Sequence, residues 1–357
     1  MERISIPFVA GIATSALMSA ADGQSIIAGI ATSMLMFAFI CSVLIAHEVP
    51  QRDIVYHVVF FVAGLFCHAT AMSGGGLTEE APSHVMKIAA IACDKLKSAI
   101  DSLELGAPER NNLLKALLTG DRTGLSGTTT SSFRAAGASH ILALSGLHMG
   151  IIYTILARSL AFMGNSTFAL RLRSMLLVIA GAFYTVMTGA GPSIVRAFLF
   201  ILLSELCRNL PGRAHDPARM LQAALIIQLA VSPTVISSLG FQLSYLAVSG
   251  IVWIMPKISV WFPDDGKPDP MKKLWNLCAL SISCQCLTAP LVWIRFRTFP
   301  RFFLVTNLVA MPLTTLSIAS SVFCLTAGTH CPEFALEACG QCVSMLLRFI
   351  DVLASLS

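Results

Sequence analysis

Charge is what this chain has least of. Asp, Glu, Lys and Arg make up 12% of its 357 residues, where a soluble domain carries about 25%. That shortage excludes a large water-soluble fold. Enzyme signatures are missing too: no Walker-type phosphate loop, no HExxH and no G-x-S-x-G elbow occurs. Without a nucleotide site the chain cannot power a pump by itself. A complete four-ligand zinc spacing is also absent. Cys339-x-x-Cys342, with His330 and Cys331 upstream, is half a site inside an apolar helix. Most of the 11 cysteines, including Cys41, Cys67, Cys207, Cys278, Cys284, Cys286 and Cys324, fall in apolar runs and read as small hydrophobes. No cofactor and no metal is expected. The net charge of +5 is modest and is no sign of nucleic-acid binding in itself, since membrane proteins gather Lys and Arg on cytoplasmic loops.

What is present is apolar length: 55% of residues are hydrophobic and the mean hydropathy is +0.76. Runs near the roughly 20 residues of a membrane-spanning helix recur throughout. The expected fold is an all-α, polytopic transmembrane helical bundle of about eleven spans: 4–21, 25–46, 54–72, 138–162, 172–189, 192–208, 218–232, 235–256, 274–294, 302–326 and 337–356. Three of these, 172–189, 192–208 and 218–232, are short for a crossing and read as tilted, re-entrant or broken. The first run is an uncleaved span, because Met18 occupies the position where signal cleavage after Ala20 needs a small side chain. The domain division is 1–72 for three N-terminal spans, 73–137 for an extracytoplasmic loop with short amphipathic helices, and 138–357 for the main membrane domain. In the loop, Val85, Ile88, Ala92, Leu96 and Ile100 recur at helical spacing, and Leu113, Leu114, Leu117 and Leu118 follow Pro108. Loop cations place the N-terminus in the cytoplasm, with Arg52, Arg171, Arg173, Arg208, Arg213, Arg219, Lys257, Lys267, Lys272 and Lys273 inside. Arg295, Arg297 and Arg301 go against that orientation.

Polar groups within the apolar runs mark the interior. A continuous helix over 138–162 would put His140, Leu144 and His148 on one face, flanked by Ser145, with Gly146 and Gly150 as a small-xxx-small contact. Tyr184-Thr185 precede a Gly189-Ala190-Gly191-Pro192 turn, after which Ser193 and Arg196 share a face. Arg196 lies in the apolar run from Pro192 to Leu203, where a charge needs a partner or water. Ser238, Gln242, Tyr245 and Ser249 form another stripe, Ser281, Gln285 and Thr288 a third, and Asn307 stands alone before Pro312. One stripe means helix packing; several, with a buried arginine, mean an internal polar path.

These residues carry a resemblance. Leu117 to Leu125 (LLTGDRTGL), Phe133 to Gly137, Ser139 to Gly150 (SHILALSGLHMG), Tyr184 to Gly189 with Pro192-Ser193 and Arg196-Ala197, Pro233 with Ser238 to Val248 (SLGFQLSYLAV), Gln285 to Pro290 and Asn307 are similar, in order, to the membrane-embedded competence domain of the ComEC family of DNA-uptake channels. The match covers about residues 105–315. It implies a multi-pass protein of the bacterial inner membrane that conducts single-stranded DNA during natural transformation. Its path or motif residues would be Asp121, Arg122, Arg134, His140, Ser145, Gly146, His148, Gly150, Tyr184, Ser193, Arg196, Phe241, Gln242, Ser244, Tyr245, Gln285, Thr288 and Asn307. Phosphate contacts would come from Arg and Lys, and base stacking from Phe241 and Tyr245. Family members often carry an OB-like domain and a metallo-β-lactamase-like nuclease domain. Neither is visible here, so a reduced form is expected, with OB-like, nuclease and DNA-pulling proteins as separate partners. A transporter or scaffold for another anionic or small solute is the second reading. An intramembrane serine hydrolase built on Ser145 and His148 is the third.

Overall fold

The computed structural model describes residues 2–20, 60–65, 67, 84–209, 216–262, 269–297 and 302–356. All regular structure among them is helical. Five helical stretches are long and apolar enough to cross a membrane: Gly146–Met163, Thr167–Met187, Pro270–Phe296, Phe303–Ala327 and Glu333–Leu356. Shorter apolar helices occur at Ser5–Ala16, Pro217–Val231 and Leu239–Trp253. The expected span 25–46 and most of 54–72 lie outside the described residues, so the expected total of about eleven is not reached on this count.

The chain divides into two compact units. The first holds α1 (Glu2–Ala20), the helical residues 60–65 and 67, α9 (Pro217–Val231), the 3-10 turn Pro233–Ser237 and the first half of α10 (Leu239–Trp253). Glycines let two backbones touch here. A Cβ on Gly11 would lie 2.1 Å from the Phe61 carbonyl oxygen, and one on Gly64 would lie 2.2 Å from that of Phe8. Helix α9 starts where sequence chemistry says it should: the Asp216 carboxylate accepts from Ala218 N–H, and Pro217 fills the first turn, where no N–H is needed.

The second unit holds α2 (His84–Asp101), α3 (Pro108–Thr119), α4 (Gly127–Ala135), α5 (Ser139–Leu142), α6 (Gly146–Ser159), α7 (Thr167–Met187), α8 (Pro192–Asn209), the rest of α10, α11 (Met255–Ser259), α12 (Pro270–Phe296), α13 (Phe303–Ala327) and α14 (Glu333–Leu356). Its largest core joins Leu113, Leu114, Leu117, Leu118 and Phe133 to Cys339, Val343, Leu346 and Ile350. From Ile100 onward, residues of the expected 73–137 loop share one hydrophobic core with α13 and α14. Leu113, Leu114 and Leu117 are completely buried, and each such side chain contributes about 1.5–3 kcal/mol. The opposite face of α14 exposes Glu337, Gln341, Arg348 and Asp351.

Three turns set up the site. Helix α3 ends on Gly120 at φ +80°, a left-handed cap that suits glycine, with Gly120 N–H on Ala116 O. Ser126 caps α4 by accepting from Thr129 N–H at 3.1 Å. Between α5 and α6 the chain leaves the helix at Ala143, Leu144 and Ser145. The expected unbroken helix over 138–162 is thus two helices, and His140 and His148 do not share a face by helical periodicity.

Candidate functional site in the second unit

The break at Ala143–Ser145 is fixed by a capping box. Ser145 is the N-cap of α6, and Leu147 N–H donates to its Oγ at 3.3 Å. His148 returns the contact: Ser145 N–H donates to His148 Nδ1 at 3.2 Å, and Ser145 Oγ is 3.0 Å from the same nitrogen. Histidine takes the place usually held by Glu or Gln. Because Nδ1 accepts a backbone N–H, the ring is neutral and carries its proton on Nε2. That Nε2 is buried and has no hydrogen-bond partner among the described residues. The Ser145–His148 contact expected of a hydrolase is therefore accounted for by capping.

His140 lies on the other side of the break. Its Nδ1 is 3.1 Å from Gly137 O, to which it donates. His140 retains accessible surface. It hydrogen-bonds the Asn307 side chain of α13 and is near enough to His148 to act on it electrostatically.

Arg196 of α8 meets this region from above α6. It is 7% exposed. Its Nη2 lies 3.1 Å from where a Gly146 Cβ would be, so glycine gives the guanidinium its seat at the start of α6. It also lies near Cys284 of α12. The expected close contact at Gly146 is present, through Arg196 and Ala197, while nothing approaches Gly150 within 4 Å. The guanidinium sits at a helix N-terminus, not at a C-terminus. Both are sources of positive potential, and together they favour an anion.

Long-range hydrogen bonds stitch the motif segment to the long helices. Arg122 Nε donates to Leu142 O at 2.9 Å, Tyr184 Oη to Leu118 O at 2.8 Å and Thr306 Oγ1 to Ala136 O at 2.9 Å. Asp121 accepts from Thr123 N–H and Oγ1 and pairs with Lys97 at 2.6 Å. Lys97 and then Thr123 hold its carboxyl well below the usual carboxylate range. The contribution of this depressed group to stability is complete above the unfolded value of about 3.9. It is lost as pH falls through the lower folded value. Asp121→Asn should reduce the melting temperature most at pH 7 and progressively less as pH falls below about 4; an equal loss at pH 7 and at pH 2 would contradict the ion pair. Arg134 is exposed in the last turn of α4.

The remaining expected residues are on other elements. Ser193 is half-buried on the first turn of α8, and Gln285 is half-buried on α12. Thr288 Oγ1 donates to Cys284 O, its own helix four residues back. Phe241, Gln242, Ser244 and Tyr245 belong to the first unit. There Tyr245 Oη donates to Gln228 Oε1 at 2.9 Å and Gln242 Nε2 to Ile236 O at 2.9 Å. The Phe241 and Tyr245 rings pack on each other with centroids 4.6 Å apart, and both are buried.

One cluster was not anticipated. Glu205 of α8 is 2% exposed. It accepts a short hydrogen bond from Tyr153 Oη of α6 and pairs with Arg208 at 3.3 Å. Arg173 of α7 donates to Ala157 O at 2.5 Å on the same side. The signal in the sequence was an acidic residue in the same expected span, 192–208, as Arg196. Gly146 with Arg196 and Tyr153 with Glu205 are in ascending order on both helices, so α6 and α8 run parallel.

Comparison with known proteins places this segment. The family described as Competence protein matches residues 117–357. The chain is 24% identical over 253 residues to ComE operon protein 3 of Bacillus subtilis (strain 168), covering 70% of this chain and 29% of that one. It is 25% identical over 213 residues to Uncharacterized protein YcaI of Escherichia coli (strain K12), covering 57% and 27%. The chain spans less than a third of the length of either relative. No solved structure matches it.

Proposed function

Because the chain belongs to the Competence protein family, we propose that it is the membrane channel through which one strand of DNA passes during natural transformation. The observation that carries this reading is Arg196 of α8, buried against the start of α6 in a stretch, Pro192 to Leu203, whose only other polar residue is Ser193. A guanidinium over a helix N-terminus attracts a phosphate, and a phosphodiester chain offers one at every step. His140, Ser145, Gly146, His148 and Asn307 form the adjoining wall. The capping role of His148 supports a channel over a hydrolase, since its Nδ1 is not available as a base for Ser145. We place the protein in the bacterial inner membrane with its N-terminus in the cytoplasm. A cysteine at Gly75 should then label from outside and one at Lys267 only after permeabilisation. OB-like, nuclease and DNA-pulling activities would be supplied by other domains or chains. The test is complementation: in a strain deleted for its own copy, this chain should restore internalisation of labelled DNA. Full membrane expression with no internalisation, and restored transport of another anionic solute, would replace this reading with that of a solute transporter.

A further inference from the structure

We propose that the outer face of α14 holds a zwitterionic lipid headgroup, a phosphodiester joined to a primary amine, in the groove it forms with the turn between α2 and α3. This is independent of the channel reading and adds a ligand site outside the Arg196 region.

The surface of α14 divides lengthwise into three faces. Ala335, Cys339, Val343, Leu346, Ile350 and Leu353 are buried. Met345, Val352 and Leu356 are exposed, as side chains that meet acyl chains are. Glu337, Gln341, Ser344 and Arg348 recur at i, i+4, i+7 and i+11, which sets them on a third face. The helix is long and apolar enough to cross a membrane, and hydrocarbon does not hold such a polar stripe uncovered. The stripe is one wall of a groove of about 770 Å³, and Leu103 to Gly106 with Arg110 form the other. Arg110 of α3 is held in place: its Nη1 donates to Leu105 O at 2.6 Å and lies 3.5 Å from where a Gly340 Cβ would be. Its guanidinium therefore rests on α14 between the turns of Glu337 and Ser344. A long helical side chain leans back over the preceding turn, which brings Arg348 toward Ser344 in the same groove. Glu104 and Glu337 supply the opposite charge. Glu337 accepts from the neutral Gln341 Nε2 at 3.2 Å. Among the described residues, none of the four charged side chains forms an ion pair, although all line one groove. Two cations and two anions that do not neutralise each other suit a ligand carrying both signs. A bare anion, a DNA phosphate included, would meet Glu104 and Glu337, and a bare cation would meet the arginines. The order along α14 is that of a lipid. The ammonium sits at Glu337 near the start of the helix, and the phosphodiester sits between the guanidinium groups of Arg110 and Arg348. The acyl chains continue along Met345, Val352 and Leu356.

The probes are phosphatidylethanolamine, phosphatidylcholine and phosphatidylglycerol with identical acyl chains, and glycerophosphoethanolamine, which has the headgroup and no chains. Each is titrated against the delipidated full chain in detergent, and bound lipid is read by native mass spectrometry. Phosphatidylcholine keeps the positive charge without N–H donors, and phosphatidylglycerol keeps the phosphate without the amine. The wild-type chain should bind phosphatidylethanolamine about tenfold more tightly than either, the worth of one charge-assisted hydrogen bond. Glu337→Gln should abolish the preference over phosphatidylglycerol. Arg348→Gln should weaken both lipids by about tenfold, through the loss of one phosphate contact. Glu337 and Arg348 are exposed, so both variants should melt like the wild type when no lipid is added. Equal affinity of the wild-type chain for all three lipids overturns the inference, as does a preference that survives Glu337→Gln or binding untouched by Arg348→Gln. Tighter binding of phosphatidylglycerol would make the groove an anion site, and glycerophosphoethanolamine bound as tightly as the lipid would make the ligand a soluble one. Either result overturns it too, and none of them bears on the passage of DNA.

Discussion

Replacing Arg196 with Leu should leave the protein in the membrane at close to its normal level and reduce DNA internalisation to the level of the deletion strain. Leucine fits the apolar run from Pro192 to Leu203. The loss is therefore one of charge. A charged hydrogen bond to phosphate is worth about 1.5–3 kcal/mol, or roughly ten- to a hundredfold in affinity. The loss should repeat at each nucleotide step as the strand advances. Arg196→Lys keeps the charge but not the planar fork, and should fall between the two. Gly146→Ala should be milder, since its methyl meets only the mobile end of the guanidinium, at 3.1 Å. Membrane level and internalisation are read on the same cells. If Arg196→Leu is degraded, the arginine is a structural tie. If it internalises DNA normally, it has no part in the path.

Glu205→Ala should have the opposite profile, with the protein itself lost. The substitution strands the Tyr153 hydroxyl between α6 and α8 and leaves Arg208 without its carboxylate. Leaving a buried group unsatisfied costs about 1–3 kcal/mol. The pairing with Arg208 adds less, because its side chain is 58% exposed and exposed ion pairs are worth little. Since α6 and α8 are held at Gly146–Arg196 and again at Tyr153–Glu205, loss of the second tie should also loosen the first. The check is the thermal aggregation temperature in detergent. Glu205→Ala and Tyr153→Phe should each lower it by several degrees, and the double variant by less than the sum, as partners in one hydrogen bond do. Additive losses would mean the two side chains do not act as a pair.

These two outcomes depend on features that differ in how visible they are in the sequence. The helices are plain: apolar length places α7, α12, α13 and α14 within a few residues of their observed ends, because a span must supply its own hydrogen bonds and apolar surface. Arg196 and His148 stand out for the same reason, as groups that hydrocarbon will not hold. The break before α6 does not stand out. Ile141 to Leu144 is apolar and continues the helical period, and the cap that ends it uses histidine where glutamate is the familiar signal. The core shared by α3, α4 and α14 was half visible. Each helix shows an apolar stripe, but a stripe does not say what it packs against. Tyr184 on Leu118 O and Thr306 on Ala136 O join residues 66 and 170 positions apart, and no periodicity reports such a pairing. Glu205 was passed over because charge near the end of a span reads as interface, whereas here it is sealed. Several hydroxyls in the apolar helices turn back on their own backbone, as Thr185, Ser283, Thr288 and Thr314 do. A stripe of Ser and Thr is thus weaker evidence of a path than one buried arginine.

The central claim, passage of a single DNA strand through this chain, is tested most directly in sealed proteoliposomes. The purified protein is reconstituted around an entrapped single-strand binder, labelled DNA is added outside, and protection from external nuclease is followed in time. The account predicts that single-stranded DNA becomes protected, that duplex of the same sequence does not, and that Arg196→Leu vesicles behave like protein-free ones. Protection no greater than in protein-free vesicles, or equal entry of duplex, would contradict it.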